Sequence, residues 1–160
     1  MSRRIDALAP DFQDTARAIM RELEGKPVLL FMTLRTTAEQ VAFYAQGRRE
    51  LSVVNELRAL ADLPPIGEAE NRYTITNCDG IKVRSAHQSG RAMDIVALDE
   101  HGNPTWDYVR YAKTYKAIRD AALKCGADSG GAWMKQPDGT PSPYARVGLG
   151  WDPPHVQRRY

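Results

Sequence analysis

At 160 residues the chain fits one domain and is long enough to bury a core without disulfide or metal staples. Its 42% hydrophobic and 26% charged residues are those of an ordinary soluble globular protein, and a net charge of +2 is too small to argue for the domain-wide basic face of a nucleic-acid binder. No run approaches the roughly eighteen apolar residues of a membrane span, and Met1-Ser2-Arg3-Arg4-Ile5-Asp6 lacks the apolar stretch of a signal peptide.

Phe12, Ala16, Ile19, Met20 and Leu23 recur at helical spacing, predicting a helix over Asp11–Glu24 that Gly25 and Pro27 stop. Val28–Thr33 is a short apolar run that reads as a buried strand. Thr36-Thr37-Ala38-Glu39 is a capping-box pattern opening a helix over Ala38–Gln46, with Gly47 as its stop. A short helix over Val53–Ala61 precedes Pro64-Pro65. Tyr73–Thr76 reads as a strand and Asn77–Gly80 as a turn. Ala92–Leu98 is a second strand, closed by a turn over Asp99–Pro104. Trp106–Lys124 carries the longest helical pattern, ended by Gly126. Lys135–Pro143, with three prolines and Gly139, is a surface loop or flap. Cys78 and Cys125 lack the spacing of a zinc or disulfide framework and read as buried free thiols. Helices and strands alternate without a βαβ rhythm, which predicts an α+β domain over 1–160. Its architecture would be a small antiparallel sheet flanked by helices, with a metal site in a cleft on the sheet and the motif-bearing core at about 28–160.

Two segments carry chemistry. Asp94 interrupts the otherwise apolar Ala92-Met93-Asp94-Ile95-Val96-Ala97-Leu98, and a carboxylate there is costly unless a cation or hydrogen-bond donors meet it. His87 lies seven residues earlier, on the opposite face of any uninterrupted strand, but Gly90 permits a reversal between them. Taken alone, the pair is equally a core histidine bonded to a carboxylate. The second segment, Trp151-Asp152-Pro153-Pro154-His155, places two metal-competent residues around a double proline. In polyproline II geometry Asp152 and His155 would share one edge, with Cα atoms about 9 Å apart. That spacing suits His155 as a ligand and Asp152 as a general base on water. Only His101 lies outside these segments, in a polar turn. Two histidines and a carboxylate with an open fourth position form a catalytic zinc set; the same trio holds ferrous iron in some oxygenases, a reading that Asp152 opposes.

Ser85-x-His87-x-x-Gly90-x-Ala92-x-Asp94 followed by Asp152-x-x-His155 resembles the signature of the zinc D-alanyl-D-alanine carboxypeptidase and L-alanyl-D-glutamate endopeptidase family, which includes vancomycin-resistance dipeptidases and single-domain phage endolysins. Arg35-Thr36-Thr37-Ala38-Glu39-Gln40 with Tyr44-Ala45-Gln46-Gly47-Arg48 is similar to its N-terminal motif, and Gly130-Gly131-x-Trp133 to the segment before the last ligand. The resemblance implies Zn2+ held by His87, Asp94 and His155, Asp152 as catalytic base, and Arg35 as the cation that steadies the oxyanion or the substrate. Arg35 also reads as a surface ion-pair residue, Gln40 and Tyr44 as packing residues outside the site, and Trp133 and Trp151 as cleft walls or core. Residues 134–150 form an insert longer than that of compact relatives.

The function that follows is hydrolysis of peptidoglycan stem peptides by an L-alanyl-D-glutamate endopeptidase-like, phage lysis enzyme. It would be a monomer without nucleic-acid or membrane partners, cytoplasmic until released to act on the periplasmic wall. Two alternatives stay open: a D-alanyl-D-alanine carboxypeptidase or dipeptidase, and a non-catalytic, zinc-stabilised phage structural module.

Overall fold

The computed structural model describes residues 2–159. Pro10 opens helix α1 (Pro10–Glu22) at the position where its missing N–H removes no helical bond. Phe12, Ala16 and Ile19 of this helix, with Leu23 just beyond it, are buried. Strand β1 (Val28–Met32) follows, then helices α2 (Thr37–Ala45) and α3 (Leu51–Leu60). The capping box at α2 is present: the Thr36 hydroxyl accepts the Glu39 N–H, and the Glu39 carboxylate accepts the Thr36 N–H. After a long irregular stretch come β2 (Ala92–Leu98), β3 (Pro104–Thr105), α4 (Ala112–Lys124), β4 (Ala127–Ser129) and β5 (His155–Arg158).

The strands make one antiparallel sheet in the order β1-β2-β5-β4, with β3 also paired to β2. β2 alternates as a central strand must. Met93, Ile95 and Ala97 enter a core shared with Phe12 and Ile19 of α1, Tyr115 and Ile118 of α4, and Val156 of β5. Each large apolar side chain buried there contributes about 1.5–3 kcal/mol. Ala92, Asp94 and Val96 occupy the other face. The expected α+β class is therefore found, and α1 belongs to the same core as the sheet.

Several expectations change. β1 is half-buried rather than buried, because it forms the sheet's edge. Tyr73–Thr76 is not a strand: it has no ladder partner, and Gln40 holds it by donating from Nε2 to Thr76 Oγ1 (3.1 Å) and the Cys78 carbonyl (2.6 Å). The long helix starts at Ala112 instead of Trp106. Before it, Asp107 Oδ1 accepts the Arg110 N–H and Trp106 packs edge-on against Phe31, contacts that compete with helical geometry. β3, β4 and β5 are additional to the strands read from sequence. Cys78 and Cys125 are free thiols, both half-buried. No described helix is long and apolar enough to cross a membrane.

Candidate metal centre

Sheet register builds half of the site. Asp94 stands opposite Met32 on β1 and opposite His155 on β5, so three neighbouring strands set these residues in one row on the face away from the α1/α4 core. His87 comes from outside the sheet, on a single 3-10 turn over Ala86–Ser89. Ser85 and Gln88 cap that turn reciprocally, and Gly90, at φ 68°, ends it and swings the chain into β2. A side chain at Gly90 would also meet the Ala9 backbone nitrogen at 2.7 Å. Ala9 N–H donates to the Gly90 carbonyl (2.9 Å), and Ser2 exchanges backbone bonds with Thr33 and Leu34. The N-terminal residues thus strap the His87 turn in place.

The donor atoms converge. His87 Nε2 lies 3.3 Å from Asp94 Oδ1, His155 Nδ1 lies 3.3 Å from the same oxygen, and the two ring nitrogens are 3.3 Å apart. A tetrahedral ion about 2.0–2.1 Å from each donor would space them about 3.3–3.4 Å apart, so the triangle fits zinc. Proton placement supports the same reading. His87 Nδ1 donates to the Thr33 carbonyl (3.0 Å) and His155 Nε2 to Gln157 Oε1 (3.2 Å). Each ring therefore presents a lone pair, and two lone pairs with one carboxylate oxygen face a common point. A cation bound at that point would be met by all three. Burial alone would raise the Asp94 carboxyl, but the fields and hydrogen bonds of His87 and His155 hold it well below the usual range. Burial would likewise lower His155, yet its bond to Asp94 and the fields of Asp152 and Asp94 push it up to about 9.

Asp152 is half-buried beside the triad, and burial raises its pKa, with the Asp94 charge adding to the effect and His155, His87 and Arg35 opposing it. The expected polyproline II spacing of Asp152 and His155 is not observed. His155 N–H donates to the Asp152 carbonyl (3.2 Å), closing a four-residue turn whose ends are within about 7 Å. The prolines fix φ but leave ψ free, and Ile95 N–H captures the Pro154 carbonyl (2.9 Å), folding the turn onto β2. From the other side, a Cβ placed on Gly130 would overlap the Asp152 carbonyl oxygen. Gly150 N–H donates to the Gly131 carbonyl (2.7 Å) and Trp151 N–H to the Trp133 carbonyl (3.0 Å), so the Gly130–Trp133 and Gly150–Asp152 segments lie against one another.

Arg35 is buried, not a surface residue. Its Nη1 donates to Gln40 Oε1 (2.8 Å), its Nε and Nη2 lie 3.2 and 2.8 Å from Met32 Sδ, and it stacks over Phe43. Nη2 stands 4.0 Å from Asp94 Oδ2, which places a fixed positive charge at the edge of the triad. Trp133 packs against both Trp151 and the His155 ring, with centroids 5.6 and 5.5 Å apart, and forms a wall of the site. His101 is exposed, in the turn between β2 and β3, and is not among the converging donors. The 134–150 insert is rooted rather than free: Leu149 is in the core, Tyr144 packs on Tyr108, and Ser142 Oγ donates to the Leu149 carbonyl. Its exposed tip is closed by a bridge between Lys135 and Pro141.

Gln40 and Gln157 carry parts of the site that the sequence reading left out. Gln40 lies on the buried face of α2 and orients Arg35, whereas Tyr44 stacks on Arg48 instead. Gln157 follows His155 by two residues, the offset that shares a strand face, and was legible once that strand was recognised.

No protein-family model matches the chain, and no curated protein matches it in sequence. Solved structures do match it in fold. The Serratia marcescens L-Ala D-Glu endopeptidase ChiX superposes with a TM-score of 0.50 at 22% identity, over 97% of this chain and 83% of that one. A variant of the vancomycin-resistance D,D-pentapeptidase VanY from a VanB-type cassette, in complex with Zn(II), superposes with a TM-score of 0.52 at 16% identity, over 94% and 72% of the two chains. This chain has the fold of those peptidases.

Proposed function

We propose that the protein is a zinc-dependent peptidase that hydrolyses peptidoglycan stem peptides, with His87, Asp94 and His155 holding the metal. The observation that carries this reading is the 3.3 Å triangle of three lone-pair donors with a raised-pKa carboxylate beside it. The shared fold of an L-Ala D-Glu endopeptidase and of a Zn(II)-bound D,D-pentapeptidase supports the substrate class. Bound at the triad, zinc supplies Lewis acidity, making water nucleophilic near neutral pH and polarising the attacked carbonyl. Asp152 takes the proton of the attacking water and delivers it to the leaving amine; burial makes its carboxylate a stronger base than a free aspartate. Arg35, held rigid by Gln40 and Phe43, neutralises charge developing on the carbonyl oxygen or grips the substrate. An Asp152 set apart from the ligands argues against a purely structural zinc site.

The bond cut is that between L-alanine and D-glutamate, in a phage lysis enzyme held in the cytoplasm until the wall becomes accessible, with residues 1–160 acting as one catalytic unit. The mixing of α1 and sheet residues in one core supports the last point. Mass spectrometry of purified peptidoglycan digested with and without a chelator tests the reading. Chelator-sensitive release of peptides that begin at D-glutamate, leaving L-alanine at the ends on the glycan, is expected. Loss of D-alanine alone would assign the site to a carboxypeptidase, and intact peptidoglycan would refute the peptidase reading.

A further inference from the structure

The densest exposed apolar feature of the described residues lies in a single loop beside the triad. Tyr73, Ile75, Ile81 and Val83 are 71, 49, 72 and 56% exposed, although all are large and hydrophobic. They flank the Asp79-Gly80 turn, and Gly80 N–H donates to the Val83 carbonyl (3.0 Å), closing the segment that carries Ile81 and Val83. The loop is ordered from within. Asp79 Oδ1 accepts the backbone N–H groups of Ile81, Lys82 and Val83 at 2.8–2.9 Å, and Gln40 and Gln88 grip the carbonyls of Cys78 and Gly80. Such a loop holds its apolar side chains in water without a partner in the fold, which marks an interaction surface.

Its charge identifies the occupant. Arg72, Lys82 and Arg84 are exposed, form no ion pair within 4.0 Å among the described residues, and outnumber Asp79, the one acid between residues 72 and 84, whose charge lies in the field of Lys82. The surface is therefore cationic and aliphatic. It is also continuous with the site: one arm contains the groups held by Gln40, which holds Arg35, and the other runs into Ser85, which caps the His87 turn. We propose that residues 72–84 form a substrate rim that engages the wall polymer flanking the scissile stem peptide. The cations would meet its free carboxylates, and the apolar side chains its alanine methyls and sugar C–H faces. This rests on the peptidase reading. A bilayer also attracts cationic, apolar loops, but one seated on this rim would cover the neighbouring triad that the stem peptide must reach.

The test is cosedimentation of the full-length Asp152→Asn protein with purified sacculi, compared with the same chain carrying Ile81→Ser and Val83→Ser or Lys82→Glu and Arg84→Glu. Each pair should weaken binding by at least about tenfold, a reasonable loss for two contact residues, and added salt should weaken the parent but not the charge-reversed chain. Bound zinc and circular dichroism report folding; if a pair unfolds the chain, single Val83→Ser and Lys82→Ala changes replace it. Unchanged binding of folded variants overturns the rim, as does binding to phosphatidylglycerol vesicles in place of sacculi. Cleavage of sacculi by the unmodified chain is scored separately, so the rim can fail while the peptidase reading stands, and the reverse.

Discussion

The two halves of the candidate centre are held by different physics. Asp94 and His155 face each other across an antiparallel ladder, and any error in their spacing would have to break β2–β5 hydrogen bonds. Asp152 has no ladder. It sits in a double-proline turn pressed against Gly130, positioned by the absence of a side chain on its neighbour. Two of the three proposed ligands are thus fixed by pairing and the proposed base by close packing, so binding of the metal and use of it should be separable by mutation.

The sharpest way to break that contrast is to remove one residue from each half. Asp94→Ala should lose both zinc and turnover, whereas Asp152→Ala should keep zinc and lose about 10²–10⁴-fold in kcat. Metal analysis after dialysis, read beside peptidoglycan hydrolysis, checks both; zinc lost from a folded Asp152→Ala chain would make Asp152 a ligand. A subtler probe leaves all four residues in place. Gly130→Ala must displace the Asp152 carbonyl, and a shift of about 1 Å in a catalytic group costs on the order of 10²-fold. Gly131→Ala, whose Cβ would meet Arg119 Cβ at 3.2 Å and Ser129 Oγ at 3.3 Å, should cost less, because those contacts need only a few tenths of an ångström of give and none of them is to Asp152. Equal kcat for the two variants would sink the packing account of the base.

Gln157→Leu probes the ladder half without touching a ligand. Losing the acceptor for His155 Nε2–H frees the ring and its tautomer, so zinc affinity should fall about 10–100-fold, as such outer partners usually show, while Gln157→Glu restores it. Competition against a chromophoric chelator measures this. The smallest effect is on pH. As the proposed base, Asp152 must act deprotonated, and burial raises its pKa, so kcat/KM should fall with decreasing pH through a midpoint above that of an ordinary carboxylate. An acid limb at or below the ordinary value would remove burial from the explanation.

How much of this was legible in the sequence follows the same division. Asp94 stood out because a charge in an apolar strand needs a cation, and Gly90 announced the reversal that brings His87 back. The α2 capping box was readable because its donors and acceptors are local. β4 and β5 were not, since Ala127–Ser129 and His155–Arg158 are short and largely polar, and only pairing with β2 and with each other makes them strands. The Asp152–His155 geometry was missed for a related reason: the prolines restrict φ locally, but Ile95, more than fifty residues earlier, selects the turn. Tyr73–Thr76 failed in the opposite sense, a strand-like pattern left without a neighbour to pair with. Gln40 reads as packing until Arg35 is seen beneath it.

X-ray absorption at the zinc edge of the zinc-loaded protein is the most direct test of the centre. The account predicts one zinc per chain with two imidazole nitrogens and carboxylate or water oxygen at about 2.0–2.2 Å. A sulfur shell at about 2.3 Å, which only Cys78, Cys125 or a methionine could supply, or failure to bind zinc stoichiometrically, would contradict it.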